Sequence, residues 1–262
     1  MNTIEAISKR IENAKDLDFG TIFSETIELF KKTWLQGFLL HLFSLVVMLP
    51  LIIIFYVPFI GMVIAQQESG YANPNAFDEF FAGMSIIYVL LLVVGVLLLA
   101  TIAYALTAAY IRMIKKLDHG ESVTTSEFFY FLKAKYLQKI FIIMLISIVI
   151  VIPSALLCYI PLLYVLVPMS FFYMFFAFNP DMGIGDIIKL SFKLGNKKWL
   201  ITFGLLVVIY LIVLVLTLVT CGIGQLFVQA LLFHPSYLIY KHVVGFNEKS
   251  EIEQIGAGEE SI

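Results

Sequence analysis

Charged residues are scarce in this sequence: Asp, Glu, Lys and Arg make up 14% of its 262 residues, whereas 61% of the residues are hydrophobic. Soluble globular domains carry about 25% charged residues, so the composition excludes a protein of that class. The 17 basic and 19 acidic residues nearly balance, with a net charge of −2, and this balance predicts no nucleic-acid partner. The sequence instead indicates a membrane protein.

The apolar residues form long runs that contain almost no charge. If the last few residues of each run are left out, the runs contain a single Lys, Lys139, which lies at an edge. No Asp or Glu lies within a span. Because a crossing needs about 20 apolar residues, breaks near Tyr159-Ile160-Pro161 and Thr220–Gly224 divide the runs into six spans. The sequence therefore predicts an all-α polytopic membrane protein with six transmembrane helices. Ion-coupled transport is disfavoured, since it usually needs intramembrane carboxylates. The runs are residues 35–65, 84–111, 138–178 and 199–244.

Two places within the spans predict a kink. The first span, Trp34–Ala65, is too long for one straight crossing at about 1.5 Å per residue. It contains Pro50 and Pro58, which predict a kink or an early helix end. Pro235 directly follows His234 and predicts a kink in the sixth span.

The basic residues fall on one side of the membrane in a single topology. All 17 Lys and Arg residues lie in the intervals that face this side, and the opposite interval, Gln66–Gly83, holds none. Cytoplasmic loops carry such an excess of Lys and Arg. Both termini are therefore predicted to be cytoplasmic, and the protein is expected in a bacterial inner membrane.

Three segments follow from this topology. Residues 1–33 form a cytoplasmic amphipathic segment, residues 34–244 the six-helix membrane domain, and residues 245–262 an acidic tail that is predicted to be disordered. Within residues 2–17, Ile4, Ile7, Ile11 and Ala14 recur at helical spacing. This spacing fits a helix that lies on the cytoplasmic leaflet, and a frayed, solvated tail is the alternative.

An internal repeat is the strongest pattern in the chain. Gly20–Trp34 aligns without gaps on Gly185–Trp199, and a span begins at each Trp. A looser copy ends at Tyr136 and opens with the capping-box pattern Thr124-Thr-Ser-Glu127. We interpret the chain as three hairpin repeats, each preceded by a cytoplasmic amphipathic interfacial helix, although any multispanning protein with basic flanks gives similar junctions. The residues predicted to contact lipid headgroups are Lys31, Lys32, Trp34, Lys197, Lys198 and Trp199.

Few residues could take part in catalysis, metal binding or a disulfide. His41 and His234 lie inside spans, where an ionisable residue is a functional candidate. Two His without a carboxylate nearby make a poor metal site, so we predict no metal, no cofactor and no catalytic residue, and structural hydrogen bonding is the alternative role. Cys158 and Cys221 lie near the outer ends of their spans. They could form a disulfide or pack unpaired as small apolar residues.

One stretch resembles a known family. Ile160-Pro161 at a helix start, Asn179-Pro180 at a helix exit and Gly195-Asn196-Lys197-Lys198-Trp199 together resemble the membrane domain of bacterial glycerophosphoryl diester phosphodiesterases and related uncharacterised six-helix membrane proteins. Leu162 departs from the pattern, in which a Gly often follows the Pro. The resemblance implies a membrane part that anchors a separate catalytic domain. That domain has no counterpart here, so phosphodiesterase activity is not implied.

Three functions remain open from the sequence. The first is a non-catalytic integral membrane protein that binds membrane lipids or a partner membrane protein, which could be a second copy of itself. The second is a carrier or flippase-like protein for an apolar or amphipathic molecule, which would use the region of His41 and His234 and would need a cavity open to one side. The third is an intramembrane metal-dependent enzyme.

Overall fold

The computed structural model describes residues 4–69, 75, 78–79, 82–83, 85–157 and 159–246. All regular secondary structure within these residues is helical. Two 3-10 helices, Thr125–Phe129 and Gln229–Phe233, lie among the α-helices. The α-helices are α1 Ile4–Glu12, α2 Phe19–Ser69, α3 Ile86–Asp118, α4 Ala134–Leu156, α5 Ile160–Phe178, α6 Ile184–Lys197, α7 Trp199–Val219, α8 Gln225–Val228 and α9 His234–Val243.

Five helices of the described chain are long and apolar enough to cross a membrane, namely α2, α3, α4, α5 and α7. Large apolar side chains on these helices point outward: Val57 is 61% exposed and Ile86 is 78% exposed. Soluble monomers rarely expose apolar surface on this scale. The fold therefore agrees with the predicted all-α polytopic membrane protein.

Helix α2 starts at a side-chain cap and continues past both of its prolines. Asp18 Oδ2 accepts hydrogen bonds from the backbone N–H of Thr21 at 2.7 Å and from its hydroxyl at 2.9 Å, and these bonds hold the pKa of the Asp18 carboxyl below its ordinary value. The helix contains Pro50 and Pro58, so the predicted early helix end is wrong. Each Pro removes a single backbone donor, and helices in apolar surroundings tolerate that loss.

The segment predicted as the sixth span is not one continuous α-helix. A 3-10 helix, Gln229–Phe233, separates α8 from α9, and Pro235 lies in the first turn of α9. This change of helix type lies where Pro235 predicts a kink. Six spans remain a prediction.

The buried core lies toward one end of the long helices. It combines the second half of α3 with the second half of α5 and nearly all of α9, whereas the first half of α3 is exposed. Helix α6 runs back along α5, so that Phe192 lies near Phe172 and Gly195 lies against Pro168. This α5–α6 hairpin forms one wall of the core.

Helix α1 packs on α6. Ile7 and Ile11 are fully buried in the protein core, and Lys193 of α6 contacts both Ser8 and Glu12. The helical spacing of the Ile residues is confirmed, and the alternative of a frayed, solvated tail is wrong for this helix. Ile7 and Ile11 contact protein and not lipid, and a contact of the other α1 residues with the cytoplasmic leaflet remains a prediction.

The aligned copies of the predicted repeat do not fold alike. Residues 20–34 continue without a break into the long helix α2, whereas α6 ends at Lys197 and α7 begins at Trp199. The third copy opens as a 3-10 helix in which the Thr124 N–H donates to Glu127 Oε1 at 3.3 Å, as the capping-box pattern predicts. The three-hairpin repeat remains a prediction.

Candidate functional site: an apolar cavity between helices

A cavity of about 690 Å³ lies between α4, α5 and α7. Further walls come from α3, from the end of the second 3-10 helix and from the start of α9. Each wall is a stretch of apolar sequence that folds as a helix, and the cavity is the space these helices leave between them. No charged side chain of the described residues lines it. Its larger apolar lining residues include Met144, Leu166, Met169, Phe172, Phe203 and Phe233.

The cavity opens toward the outer surface between α5 and α7. Leu163 and Leu166 of α5, and Tyr210 and Leu211 of α7, line it and are each about half exposed. A molecule could therefore enter from the side, through apolar surface, without passing a polar barrier.

Three serine hydroxyls lie in the cavity wall, and their protons are already committed. Ser236 donates to Ser170 Oγ at 2.9 Å, and Ser170 donates to the Val167 carbonyl at 2.8 Å. Ser147 donates to the Ile143 carbonyl at 2.8 Å. The oxygen lone pairs of Ser236 and Ser147 remain for a hydrogen-bond donor.

A tyrosine pair forms the deep wall. The rings of Tyr104 and Tyr173 stack with centroids 4.1 Å apart, and both side chains line the cavity. The Tyr104 hydroxyl is buried, with no hydrogen-bond partner among the described residues. An unpaired buried hydroxyl costs about 1–3 kcal/mol. Because this oxygen has almost no accessible surface, the Tyr104 side chain presents its ring and not its hydroxyl to the cavity.

His234 is fully buried and held by two hydrogen bonds. Its Nδ1 lies 3.1 Å from the Ala230 carbonyl and its Nε2 lies 2.7 Å from the Thr33 hydroxyl. Since the carbonyl only accepts, we assign the proton to Nδ1, so that Nε2 accepts from Thr33. The rings of Phe30 and Tyr110 contact it edge-on. These contacts favour the structural role for His234.

His41 lies in a different place. It lines a smaller cavity of about 270 Å³ together with Ser44, Gln225 and Gln229, and its Nδ1 lies 2.8 Å from the Gly37 carbonyl. The two intramembrane histidines therefore do not form one polar site. Neither histidine lines the larger cavity.

The six residues predicted to contact headgroups divide into two groups. Lys31, Lys32, Trp34 and Lys197 are exposed, as such contacts require, and Lys31 pairs with Glu28 at 2.5 Å.

Lys198 and Trp199 face the protein instead. Lys198 is 4% exposed and donates to the Lys15 carbonyl at 2.6 Å. The Trp199 indole N–H donates to the Tyr164 carbonyl at 3.1 Å, and its ring stacks on Phe203. The burial of Lys198, with its ammonium group on the Lys15 carbonyl, counts against a headgroup contact there, and that contact remains a prediction. Trp199 is tied to α5, and its headgroup contact remains a prediction.

The remaining chemical candidates are isolated. Cys221 is exposed in the turn after α7, with a positive φ of 50°, and Cys158 lies outside the described residues, so their pairing remains a prediction. Within the described ranges, no three His, Cys, Asp or Glu side chains are grouped closely enough to hold a metal ion.

An ionic cluster near the end of α9 was not anticipated from the sequence. Asp118 Oδ2 accepts from Lys241 at 2.7 Å and from the Tyr237 hydroxyl at 2.9 Å, and His242 lies 2.7 Å from Glu25. These pairs join α9 to α3 and α2. The basic residues at the end of the last apolar run indicated a membrane boundary, but not their carboxylate partners.

Comparison with known proteins gives one match. A family model described as "Protein of unknown function (DUF4013)" matches residues 23–160. This stretch supplies Tyr104, Met144 and Ser147 of the cavity wall. No curated protein and no solved structure matches the chain, and nothing in the match names a glycerophosphoryl diester phosphodiesterase membrane domain.

Proposed function

Since the chain belongs to the DUF4013 family of proteins of unknown function, we propose a function from the geometry of its cavity: this is a non-catalytic integral membrane protein that binds a lipid or another amphipathic molecule between α5 and α7. The cavity of about 690 Å³ is the observation that carries the proposal. Ligand pockets typically measure about 300–1,000 Å³ and are mostly apolar with a few placed polar groups.

The position of the cavity supports a membrane ligand over a water-soluble one. Its rim residues Leu166 and Tyr210 belong to helices long and apolar enough to cross a bilayer. An acyl chain already in the bilayer could enter sideways with little change in its surroundings. A soluble partner would instead have to cross apolar surface, and within the described part of the chain no charged side chain lines the cavity to receive it.

The proposed setting is the bacterial inner membrane, with six spans and both termini in the cytoplasm. The length of residues 225–243 supports the sixth span: α-helical residues rise about 1.5 Å and 3-10 residues about 2.0 Å, which gives about 30 Å in total, the thickness of the hydrocarbon core. The hydrogen bond from Trp199 to the Tyr164 carbonyl sets the start of α7 beside the start of α5, whereas the six-span topology puts these two helix starts on opposite sides of the membrane. This contact counts against that part of the proposed topology.

The resemblance to phosphodiesterase membrane domains fits a binding or anchoring role without catalysis. A partner membrane protein, or a second copy of the chain, would then use the exposed apolar surface of the long helices. The proposal places the lipid in the cavity and leaves that outer surface for such a partner.

A carrier is the second candidate, and the side opening of the cavity favours it. The carrier hypothesis requires a cavity open to one side, but the cavity that meets this requirement lies away from both histidines. A carrier would therefore use the hydroxyl-lined cavity and not the region of His41 and His234.

Native mass spectrometry of the protein extracted gently from its own membranes tests the proposal. The wild-type protein is expected to retain lipid at a ratio of about one to one. Changing Leu166 and Val207 to Trp fills the cavity from opposite walls, and this variant is expected to lose about nine-tenths of the bound lipid.

The matched control is Ile160→Trp with Val215→Trp, on the same two helices but outside the cavity lining. This variant keeps the bound lipid if the cavity is the site. Equal retention by both double variants would overturn the proposal. Loss of lipid by both would mean that bulk alone, and not the cavity, governs retention.

A further inference from the structure

We infer that the cavity selects a neutral long-chain alcohol, and that it discriminates against ethers and against anionic lipids of the same chain length. The inference rests on the proposed function, because it names the class of ligand for that same site. It depends on which hydrogen-bonding positions of the wall remain open.

The first step concerns charge. Among the residues that the structure describes, no Lys, Arg, His, Asp or Glu lines the cavity. A phosphate or carboxylate group placed there would lose its hydration without a compensating positive charge, which is costly. The headgroup inside the cavity must therefore be neutral.

The second step concerns acceptors. The hydroxyl protons of Ser236, Ser170 and Ser147 are used within the protein, by Ser170 Oγ and by the carbonyls of Val167 and Ile143. The serines can thus offer lone pairs only, without breaking a bond they already make. Their preferred ligand group carries a proton to donate.

The third step concerns the choice among neutral groups. The Tyr104 hydroxyl has almost no accessible surface, so a molecule in the cavity meets the serine oxygens and not this donor. An alcohol donates a proton to such an oxygen, whereas an ether only accepts and an ester offers no proton. The wall thus matches a hydroxyl group on a long apolar chain.

Fluorescence quenching can test this choice, because Trp199 stacks on Phe203 of the cavity wall. The chain has two Trp residues, and Trp34→Phe leaves Trp199 as the single emitter. In lipid nanodiscs, three probes with the same dibrominated stearyl chain are compared: the alcohol, its methyl ether and its phosphate monoester. The alcohol is expected to quench Trp199 saturably, at a mole fraction about fivefold lower than either other probe, as one net hydrogen bond implies.

Two variants keep the inference falsifiable. Tyr104→Phe removes a hydroxyl that the fold does not use and that has almost no accessible surface, so this control is expected to keep the unfolding temperature or raise it and to leave quenching by the alcohol unchanged. Ser147→Ala removes an oxygen of the wall whose proton bonds only within its own helix, and it is expected to weaken quenching by the alcohol about fivefold and to leave the ether unchanged. Weaker quenching by the ether as well would point to a reshaped cavity and would overturn the assignment to the serine lone pair.

The remaining outcomes separate the two proposals. Equal, saturable quenching by all three probes would overturn the alcohol inference and leave lipid binding in the cavity intact. Quenching by none of them, or quenching that rises linearly and is the same for each probe, would overturn both. Preference for the phosphate monoester would overturn the inference and move the headgroup outside the cavity.

Discussion

The Nε2 atom of His234 lies 2.7 Å from the hydroxyl oxygen of Thr33, although 201 positions separate the two residues. Both side chains are fully buried. The contact joins the start of α9 to the part of α2 that precedes the apolar span. Because the Nδ1–H already donates to the Ala230 carbonyl, we assign the Thr33 hydroxyl proton to the second ring nitrogen at 2.7 Å and not to the Leu29 carbonyl at 3.1 Å.

Removal of that donor should destabilise the fold. Thr33→Val keeps the side-chain shape but leaves the buried Nε2 without a partner, at a cost of about 1–3 kcal/mol. Thermal unfolding in a mild detergent measures the effect. Thr33→Ser retains the hydroxyl and should lose less than half as much. Equal losses in the two variants would show that the methyl group, and not the hydrogen bond, stabilises this contact.

Gly195 should tolerate no side chain, because the backbone of α5 lies directly against it. A Cβ atom at Gly195 would lie 2.6 Å from the Cα of Pro168, which is backbone and cannot turn aside. Gly195→Ala is therefore expected to cost about 1–3 kcal/mol of unfolding free energy.

The matched control for Gly195 lies on the same helix. A Cβ at Gly185 meets nothing within 4 Å, so Gly185→Ala should leave the unfolding free energy unchanged or raise it by up to about 1 kcal/mol through helix propensity. A stable Gly195→Ala protein would show that the α5–α6 hairpin is looser than this packing implies.

The sequence predicted the helices well and their surroundings poorly. The spacing of Ile7 and Ile11 identified an apolar face, but spacing cannot tell whether lipid or protein covers that face. The aligned segments before Trp34 and Trp199 fold differently for a similar reason. The chain breaks at Lys198 where the side chains of Lys198 and Trp199 bond to Lys15 and Tyr164, and these partners are distant in sequence.

The candidate site was less predictable than the fold. Tyr104, Ser147 and Ser170 are unremarkable polar residues within apolar helices. A cavity is the space between side chains of several helices, and no local pattern encodes its volume. His41 and His234 stood out by residue type alone, and their different partners follow from packing that a single helix cannot reveal.

Adjacent lysines should separate headgroup contact from structural support. Lys197 is exposed, whereas Lys198 is buried with its ammonium group 2.6 Å from the Lys15 carbonyl and 3.7 Å from Asp16. Lys198→Met is expected to lower the unfolding free energy by about 1–3 kcal/mol, as for loss of a charged hydrogen bond. Lys197→Met should leave stability unchanged.

Anionic lipid retention should show the opposite dependence on these two residues. A Lys near an anionic surface contributes about 1 kcal/mol, so Lys197→Met is expected to weaken retention of phosphatidylglycerol about fivefold, measured in nanodiscs of increasing anionic content. Lys198→Met should leave retention unchanged at temperatures where it remains folded. If Lys198→Met weakened retention as much as Lys197→Met, Lys198 would reach the headgroups despite its burial.

The docking of α1 on α6 should weaken in acid. Lys193 hydrogen-bonds the Glu12 carboxylate, and this bond together with the lysine charge lowers the pKa of Glu12 from its ordinary value of about 4.5. A carboxyl whose folded pKa is lowered contributes stability above the ordinary value, and that contribution disappears as the pH falls through the lower, folded value. Docking is therefore expected to be constant from neutral pH down to the ordinary pKa of Glu12 and to weaken below it.

Hydrogen exchange of residues 4–12, corrected for the intrinsic effect of pH on exchange, measures this docking. Glu12→Gln should reduce protection at neutral pH to the level that the wild-type helix reaches in acid, and it should abolish most of the pH dependence below the ordinary pKa. Glu5→Gln, on the exposed face of the same helix, is the control and should behave as the wild type. If Glu12→Gln kept full protection and the same acid response, Ile7 and Ile11 alone would hold α1 in place, and the contact between Lys193 and Glu12 would be incidental to docking.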